Sequence, residues 1–92
     1  MKSYKNPWSL RVEILYNKNS RDVRDKIEKK LSKLGEWVGH GSGFGAHDVQ
    51  VAFKTEKAAE KAKDIAVDMM FKNHVSGKYN IYNESKPVGK KK

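Results

Sequence analysis

Hydrophobic residues alternate with polar ones in three stretches of the chain, which predicts three β-strands that each bury one face. The first stretch runs from Trp8 to Tyr16, the second from Ala46 to Lys54, and a shorter one from Tyr79 to Asn83 follows Gly77. The side chains expected to face inward are Trp8, Leu10, Val12, Ile14 and Tyr16 in the first strand, and Val49, Val51 and Phe53 in the second.

Two longer segments place apolar residues three or four positions apart, as amphipathic helices do. The first, 20–34, has a narrow apolar stripe, with Asn19 or Ser20 as its cap and Gly35 after its end. The second begins after Thr55, a favourable cap, and ends near Asn73. The stripe of the first helix is Val23, Ile27, Leu31 and Leu34, and that of the second is Ala58, Ala62, Ile65, Ala66, Met69 and Met70.

A glycine repeat, made of Gly39, Gly41, Gly43 and Gly45, follows Trp37 and falls in a predicted strand from Trp37 to Phe44. Regular alternation would put Trp37 on the glycine face and Val38, His40, Ser42 and Phe44 on the other face. Glycine inside a strand marks a bulge, a bend or a close approach of other atoms. We expect these glycines to form a tight hairpin with a bulge, or to make room for a tryptophan. The alternative, which we favour less, is that their backbone N–H groups bind a phosphate.

The predicted order of elements is β-α-β-β-α-β, and right-handed crossovers place both helices on one face of the sheet. The predicted fold class is therefore α+β, with the ferredoxin-like arrangement of a four-stranded antiparallel sheet and two helices. Residues 1–85 form the expected single domain, and 86–92 a basic C-terminal tail expected to be disordered. The large residues assigned to the core are Trp8, Trp37, Phe53, Met69, Met70 and Phe71, with a binding anchor as the alternative for Trp37.

Composition narrows the function classes. The 92 residues contain no cysteine and no long apolar run, and they begin without a signal-peptide core, so we expect a cytoplasmic protein with no membrane partner. The histidine spacings match no zinc pattern, and no cofactor is expected. The glycine repeat lacks the Gly-Lys-Ser/Thr end of a phosphate-binding P-loop, and Ser42 beside His40 has no orienting acid, so we expect no enzyme activity.

The net charge of +9 is unevenly distributed. Helix segment 20–34 carries six basic and three acidic side chains, and 86–92 carries four lysines and no acid. An anionic partner, either nucleic acid or an acidic protein surface, suits this distribution, although lysine-rich segments also aid solubility.

The segment from Asp48 to Ala62 resembles the third strand and second helix of an RNA-recognition motif. That resemblance implies single-stranded RNA stacked on aromatic residues of the open sheet face. The outward positions of the two strands that would carry the platform hold no aromatic residue: they are Arg11, Glu13, Leu15, Asp48, Gln50 and Ala52. Tyr82, Phe44 and His40 are the stacking candidates on that face.

Two functions follow from these features. The first is a non-enzymatic basic module that contacts nucleic acid, or a nucleoprotein complex, mainly through phosphates. The second is a small phage- or mobile-element-type protein that binds and inhibits a host protein complex, docking through the glycine repeat. An exposed edge strand also makes a homodimer an expectation. The candidate contact residues are Arg11, Arg21, Arg24, Lys29, Lys30, Lys33, Trp37, His40, Phe44, His47, Tyr82, Lys90 and Lys91.

Overall fold

The computed structural model of the chain describes residues 6–43 and 45–83. Six elements follow one another in the predicted order: β1 (Trp8–Leu15), α1 (Ser20–Ser32), β2 (Glu36–Gly43), β3 (Ala46–Phe53), α2 (Glu56–Lys72) and β4 (Gly77–Asn83). The predicted α+β, ferredoxin-like fold class is confirmed.

The four strands form one antiparallel sheet in the order β2-β3-β1-β4. Leu10 on β1 lies between Val51 of β3 and Ile81 of β4, so these three side chains share a face. Both helices pack on that face, α1 mainly over β3 and towards β2, and α2 mainly over β1, with β4 and β3 on either side. The opposite face of the sheet, called the open face below, carries no helix among the described residues.

Most of the predicted core is confirmed. Leu10, Val12 and Ile14 of β1 and all the predicted inward residues of β3 are buried, and Trp8 is partly buried. Three of the four stripe residues of α1 are also buried. Small residues cover the inner side of α2, where Ala59, Ala62 and Ala66 are fully buried and allow the helix to approach the sheet closely. Burial of each large apolar side chain contributes about 1.5–3 kcal/mol. The fully buried large residues are Leu10, Val12, Ile14, Val23, Ile27, Leu31, Val49, Val51 and Phe53.

Three residues outside β2 that were predicted to face inward are exposed, because each stands at or beyond the end of its element. Tyr16 follows the last residue of β1, and Leu34 follows the end of α1. Phe71, in the last turn of α2, is 81% exposed, while its neighbour Met70 takes the inward position. The assignment of Phe71 to the core was therefore wrong.

The two helices begin in different ways. The predicted cap of α2 is confirmed, since the Thr55 hydroxyl accepts a hydrogen bond from the Ala58 N–H at 3.1 Å. At α1 the Asn19 side chain caps nothing. The preceding turn is closed by its own residues instead: Asn17 Oδ1 accepts from the Asn19 N–H at 2.7 Å, and the Ser20 hydroxyl donates to the Asn17 carbonyl at 2.9 Å.

Close packing explains two glycines outside the glycine repeat. A Cβ at Gly35 would lie 2.5 Å from the Ala52 carbonyl oxygen and 2.7 Å from the Phe53 ring. A Cβ at Gly77 would overlap the Glu13 carbonyl oxygen and lie 3.1 Å from the Ile14 Cα. Gly35 does not adopt the left-handed conformation expected of a helix-ending glycine, so packing is the reason for it.

Candidate nucleic-acid interface

A β-bulge at Val38 sets the geometry of the glycine repeat. Trp37 pairs with Val51 and Gly39 pairs with Gln50, so one residue of β2 has no partner on β3. The predicted hairpin with a bulge is present, but the predicted faces were wrong because the bulge reverses the alternation after Trp37. Trp37, His40 and Ser42 lie on the helix side, and the glycines of β2 line the open face.

The glycines of the repeat make no room for a tryptophan, since Trp37 lies on the other face. An added Cβ would meet nothing within 4 Å at Gly39, and only the Asp48 carboxylate, at 3.6 Å, at Gly41. Gly45 has a φ of +82°, a left-handed conformation that favours glycine at the turn into β3. Backbone geometry therefore explains Gly45, whereas steric crowding does not explain Gly39 or Gly41.

Glu28 of α1 holds the helix-side residues of β2. Its Oε2 accepts a hydrogen bond from the Trp37 indole N–H and lies 2.6 Å from His40 Nδ1. Trp37 is 48% exposed, so it is not the core residue that was expected. His40 was wrongly placed among the stacking candidates of the open face. No pattern in the sequence indicates Glu28, because only the bulge brings both Trp37 and His40 to it.

Arg24 joins α1 to the β2–β3 hairpin. The residue is only 6% exposed, and its guanidinium donates to Asp25 at 2.9 Å and to the carbonyl oxygens of Gly41 at 3.2 Å and Asp48 at 3.5 Å. A guanidinium with these partners anchors the hairpin and is not presented to solvent. Arg24 therefore differs from the other basic candidates of α1, which are exposed.

The open face is electrically balanced. Arg11 forms ion pairs with Glu13 at 3.3 Å and Asp48 at 3.1 Å, and Lys78 lies 3.8 Å from Glu13. Tyr82 also lies on the open face, because it pairs with Ser9, the neighbour of the inward-facing Leu10 on β1. Two acids beside two bases oppose phosphate binding on this face. The shallow cavity at its β2 end, about 340 Å³, is lined by the same Arg11, Glu13 and Asp48.

His47 contacts Ser42 and Tyr16 at the turn end of the hairpin. Its Nδ1 lies 2.6 Å from the Ser42 hydroxyl, and its ring contacts that of Tyr16 with centroids 4.7 Å apart. A serine–histidine pair needs a third group to orient the base for nucleophilic catalysis. Ser42 and His47 are direct partners in the β2–β3 register, so their contact links the two strands of the hairpin.

Lysines dominate the solvent side of α1. Lys26, Lys29, Lys30 and Lys33 are spaced i, i+3, i+4 and i+7, which places them along one stripe of the helix, called the α1 lysine face below. All four are exposed, and none forms an ion pair with another described residue. Two acids lie next to these lysines in sequence, but Asp25 pairs with Arg24, and Glu28 contacts Trp37 and His40 of β2. Arg21 is also exposed, one turn earlier and beside Asp22.

Other candidates lie elsewhere. Phe44, Lys90 and Lys91 are outside the described residues, as is the expected boundary of the tail at residue 86. On α2, a hydrogen bond from Lys63 to Asp64 raises the pKa of the Lys63 ammonium, which also lies 5.2 Å from the centre of the Tyr79 ring. On α2, Lys63 and Lys72 therefore have acidic partners, in contrast to the lysines in the second half of α1.

Among residues 6–43 and 45–83, no three histidine or acidic side chains are grouped so that they could hold a metal ion. No helix there has the length and apolar character required to cross a membrane.

Comparison with known proteins finds a similarity among solved structures. No protein-family model matches it, and no curated protein does. It is similar to the crystal structure of a NIPSNAP-family protein of unknown function from Agrobacterium tumefaciens, with 16% identity and a TM-score of 0.48. The match covers 94% of this chain and 96% of that one. The resemblance to an RNA-recognition motif is not shown by any of these comparisons.

Proposed function

We propose that this protein is a non-enzymatic module that binds nucleic acid through phosphate contacts from the α1 lysine face. The observation that carries the proposal is the contrast between two surfaces. The lysines of α1 are exposed and lack acidic partners among the described residues, while the basic side chains of the open face are neutralised by Glu13 and Asp48. A cation without an acidic partner can bind phosphate without breaking an existing pair.

Spacing also supports the proposal. Four lysines over two helical turns extend roughly 10 Å along the helix axis, since each residue rises about 1.5 Å. A nucleic-acid backbone can meet several of them at once. Phosphate contacts carry no sequence information, so the expected binding is weak and indifferent to base sequence.

The experiment measures oligonucleotide affinity against salt. If four phosphates are neutralised, the logarithm of the affinity falls with a slope of about −2.8 for single strands or about −3.6 for duplex DNA. A fourfold rise in salt should then weaken binding about 50-fold or about 150-fold, respectively. A folded protein that binds no oligonucleotide at low salt contradicts the proposal.

A pair of matched variants locates the site. Lys29→Gln with Lys33→Gln should reduce the magnitude of the slope by about 1.4 for single strands. Lys57→Gln with Lys61→Gln removes the same charge at the same spacing from α2 and should change it much less. Equal effects of the two double variants would show that net charge, and not the α1 lysine face, is responsible. A third protein that ends at residue 85 reports separately on the lysine tail.

The second function, inhibition of a host protein complex, predicts a different result in one assay. A partner that is purified from lysate with this protein and survives nuclease treatment would favour protein docking. The observations favour it less, because Trp37, its expected anchor, already donates to Glu28. Loss of all captured material on nuclease treatment would support the proposal made here.

A further inference from the structure

An apolar groove runs between α2 and the outer edge of the sheet at β4. Phe71 is 81% exposed, Tyr79 47% and Val67 39%, and these three residues line two adjoining cavities of about 480 Å³ and 460 Å³. Exposed apolar residues grouped in this way mark interaction surfaces. The groove is distinct from the α1 lysine face, since α1 packs on the same face of the sheet but near the opposite edge, over β3 and β2.

The edge strand beside the groove has backbone groups directed away from the sheet. The Leu15 N–H donates to the Ser76 carbonyl at 2.8 Å, which fixes the pairs of β1 and β4 that exchange hydrogen bonds. Because this pattern alternates, the N–H and C=O groups of Gly77, Tyr79 and Ile81 point outward. No described strand pairs with that side of β4.

The two edges of the sheet differ in how well they are protected. The β2 edge carries the bulge at Val38, and bulges turn an edge away from further pairing. β4 pairs with β1 over seven residues without a shift in register. The regular edge and the apolar groove therefore lie at the same place.

We propose that this surface binds a second copy of the chain, with β4 pairing antiparallel to β4 about a two-fold axis at Tyr79. The same strand and groove then complete each other, as a symmetric dimer requires. At this register Lys78 lies opposite Asn80 of the second copy, so like charges do not meet across the two strands. Gly77 and Ile81 bring their outward backbone groups into hydrogen-bonded pairs.

The exposed apolar side chains lie between the two copies of α2 in this arrangement. α2 contacts β1 most and touches β4 and β3 to a similar extent, so its axis lies near β1. In a continuous eight-stranded sheet the two copies of α2 are then separated by about three strand spacings, roughly 14 Å. Directly packed helices prefer axes about 8–10 Å apart, so a gap remains above the paired β4 strands, and Val67 and Phe71 lie at it, where the second copy covers part of their exposed surface.

The contact is small, which predicts a weak dimer. β4 has 7 residues and the shortest dimension of the molecule is 20 Å. A strip about 23 Å long and about 20 Å high buries roughly 900 Å² in total, below the ~1,200 Å² of stable interfaces. We expect a dissociation constant on the order of 10–100 µM. Each chain carries a charge of +9, so screening by salt should strengthen association.

Sedimentation equilibrium of nucleic-acid-free protein tests the proposal, over about 10 µM to about 1 mM protein and about 0.05 M to 0.5 M salt. Phe71→Ser should raise the dissociation constant at least about tenfold. Tyr79→Pro removes an outward N–H that the β1–β4 ladder does not use, and it should have a similar effect in a folded monomer. Leu15→Ser removes an exposed apolar side chain, 53% accessible, from the open face and should leave association unchanged.

Three results would overturn the dimer. The chain could remain monomeric over the whole concentration range, which would leave the groove to a different protein. It could associate with the same constant in the Phe71→Ser and Tyr79→Pro variants, which would place the interface elsewhere. It could dimerise only after an oligonucleotide is added, which would make nucleic acid the bridge. None of these results bears on phosphate binding by the α1 lysine face.

Discussion

Glycine should be essential at positions 35 and 77 and dispensable at positions 39 and 41. A methyl group at Gly77 overlaps the Glu13 carbonyl oxygen and lies 2.9 Å from the Met70 sulfur, and one at Gly35 lies 2.5 Å from the Ala52 carbonyl oxygen. Overpacking in a well-filled region costs about 1–3 kcal/mol, and obstruction by backbone belongs at the upper end because backbone moves least. Gly77→Ala should therefore lower the free energy of unfolding by about 3 kcal/mol.

The matched controls lie in the glycine repeat. At Gly39 a methyl group meets nothing within 4 Å, and at Gly41 it makes an ordinary contact with Asp48. Alanine also reduces the freedom of the unfolded chain, so Gly39→Ala should leave stability unchanged or raise it by about 0.4–1 kcal/mol.

Thermal unfolding followed by circular dichroism measures the difference. In a domain of this size 1 kcal/mol shifts the melting temperature by about 4–8 °C, so Gly77→Ala should melt roughly 12–24 °C below the unmodified chain. Gly39→Ala and Gly41→Ala should melt within a few degrees of it or above it. If either repeat variant loses as much stability as Gly77→Ala, the inference that steric crowding does not explain those glycines is refuted.

Two further substitutions test the contacts that join α1 to the hairpin, both by urea unfolding. Arg24→Met loses hydrogen bonds from a buried charged group and should cost about 2–3 kcal/mol, whereas the exposed Arg21→Met should change stability by less than about 0.5 kcal/mol. Glu28→Ala releases both Trp37 and His40 and should cost about 1–2 kcal/mol, against less than about 0.5 kcal/mol for Glu60→Ala on the exposed side of α2. Equal losses in either matched pair would contradict the roles assigned to Arg24 and Glu28.

The inward faces of the elements with a regular hydrophobic period could be predicted from the sequence. The faces of β2, which has no such period, could not. Leu10, Val12 and Ile14 alternate without interruption, so their face followed from strand geometry alone. At β2 a single extra residue, Val38, reverses the face of every residue after it. No side-chain pattern marks that residue, since glycines on one side leave no hydrophobic alternation to interrupt. The predicted faces of His40 and of the glycines failed at this one position.

The sequence shows which elements carry charged residues, but it does not show which residues those side chains contact. The sequence predicts a basic first helix, but Arg24 and Lys26 have the same charge there and opposite environments. Arg24 points along the side of α1 that meets the hairpin and is buried, whereas Lys26 lies on the lysine face. Arg11 likewise acquires its acidic partner Asp48 from 37 residues away, through the pairing of β1 with β3. Such pairings are set by tertiary structure, which is why counting charges along the chain overstated the cations free to bind phosphate.

The two proposed surfaces lie over opposite edges of the sheet and respond to salt in opposite directions. Phosphate binding by the α1 lysine face weakens as salt rises, because salt ions compete with the lysines for the phosphates. Self-association through β4 strengthens, because salt screens the repulsion between two chains of like charge. A two-fold axis perpendicular to the sheet keeps both copies of α1 on the same side of an eight-stranded sheet. The dimer would thus be favoured at the salt concentrations that weaken each single contact with nucleic acid, while it presents two lysine faces to the same strand.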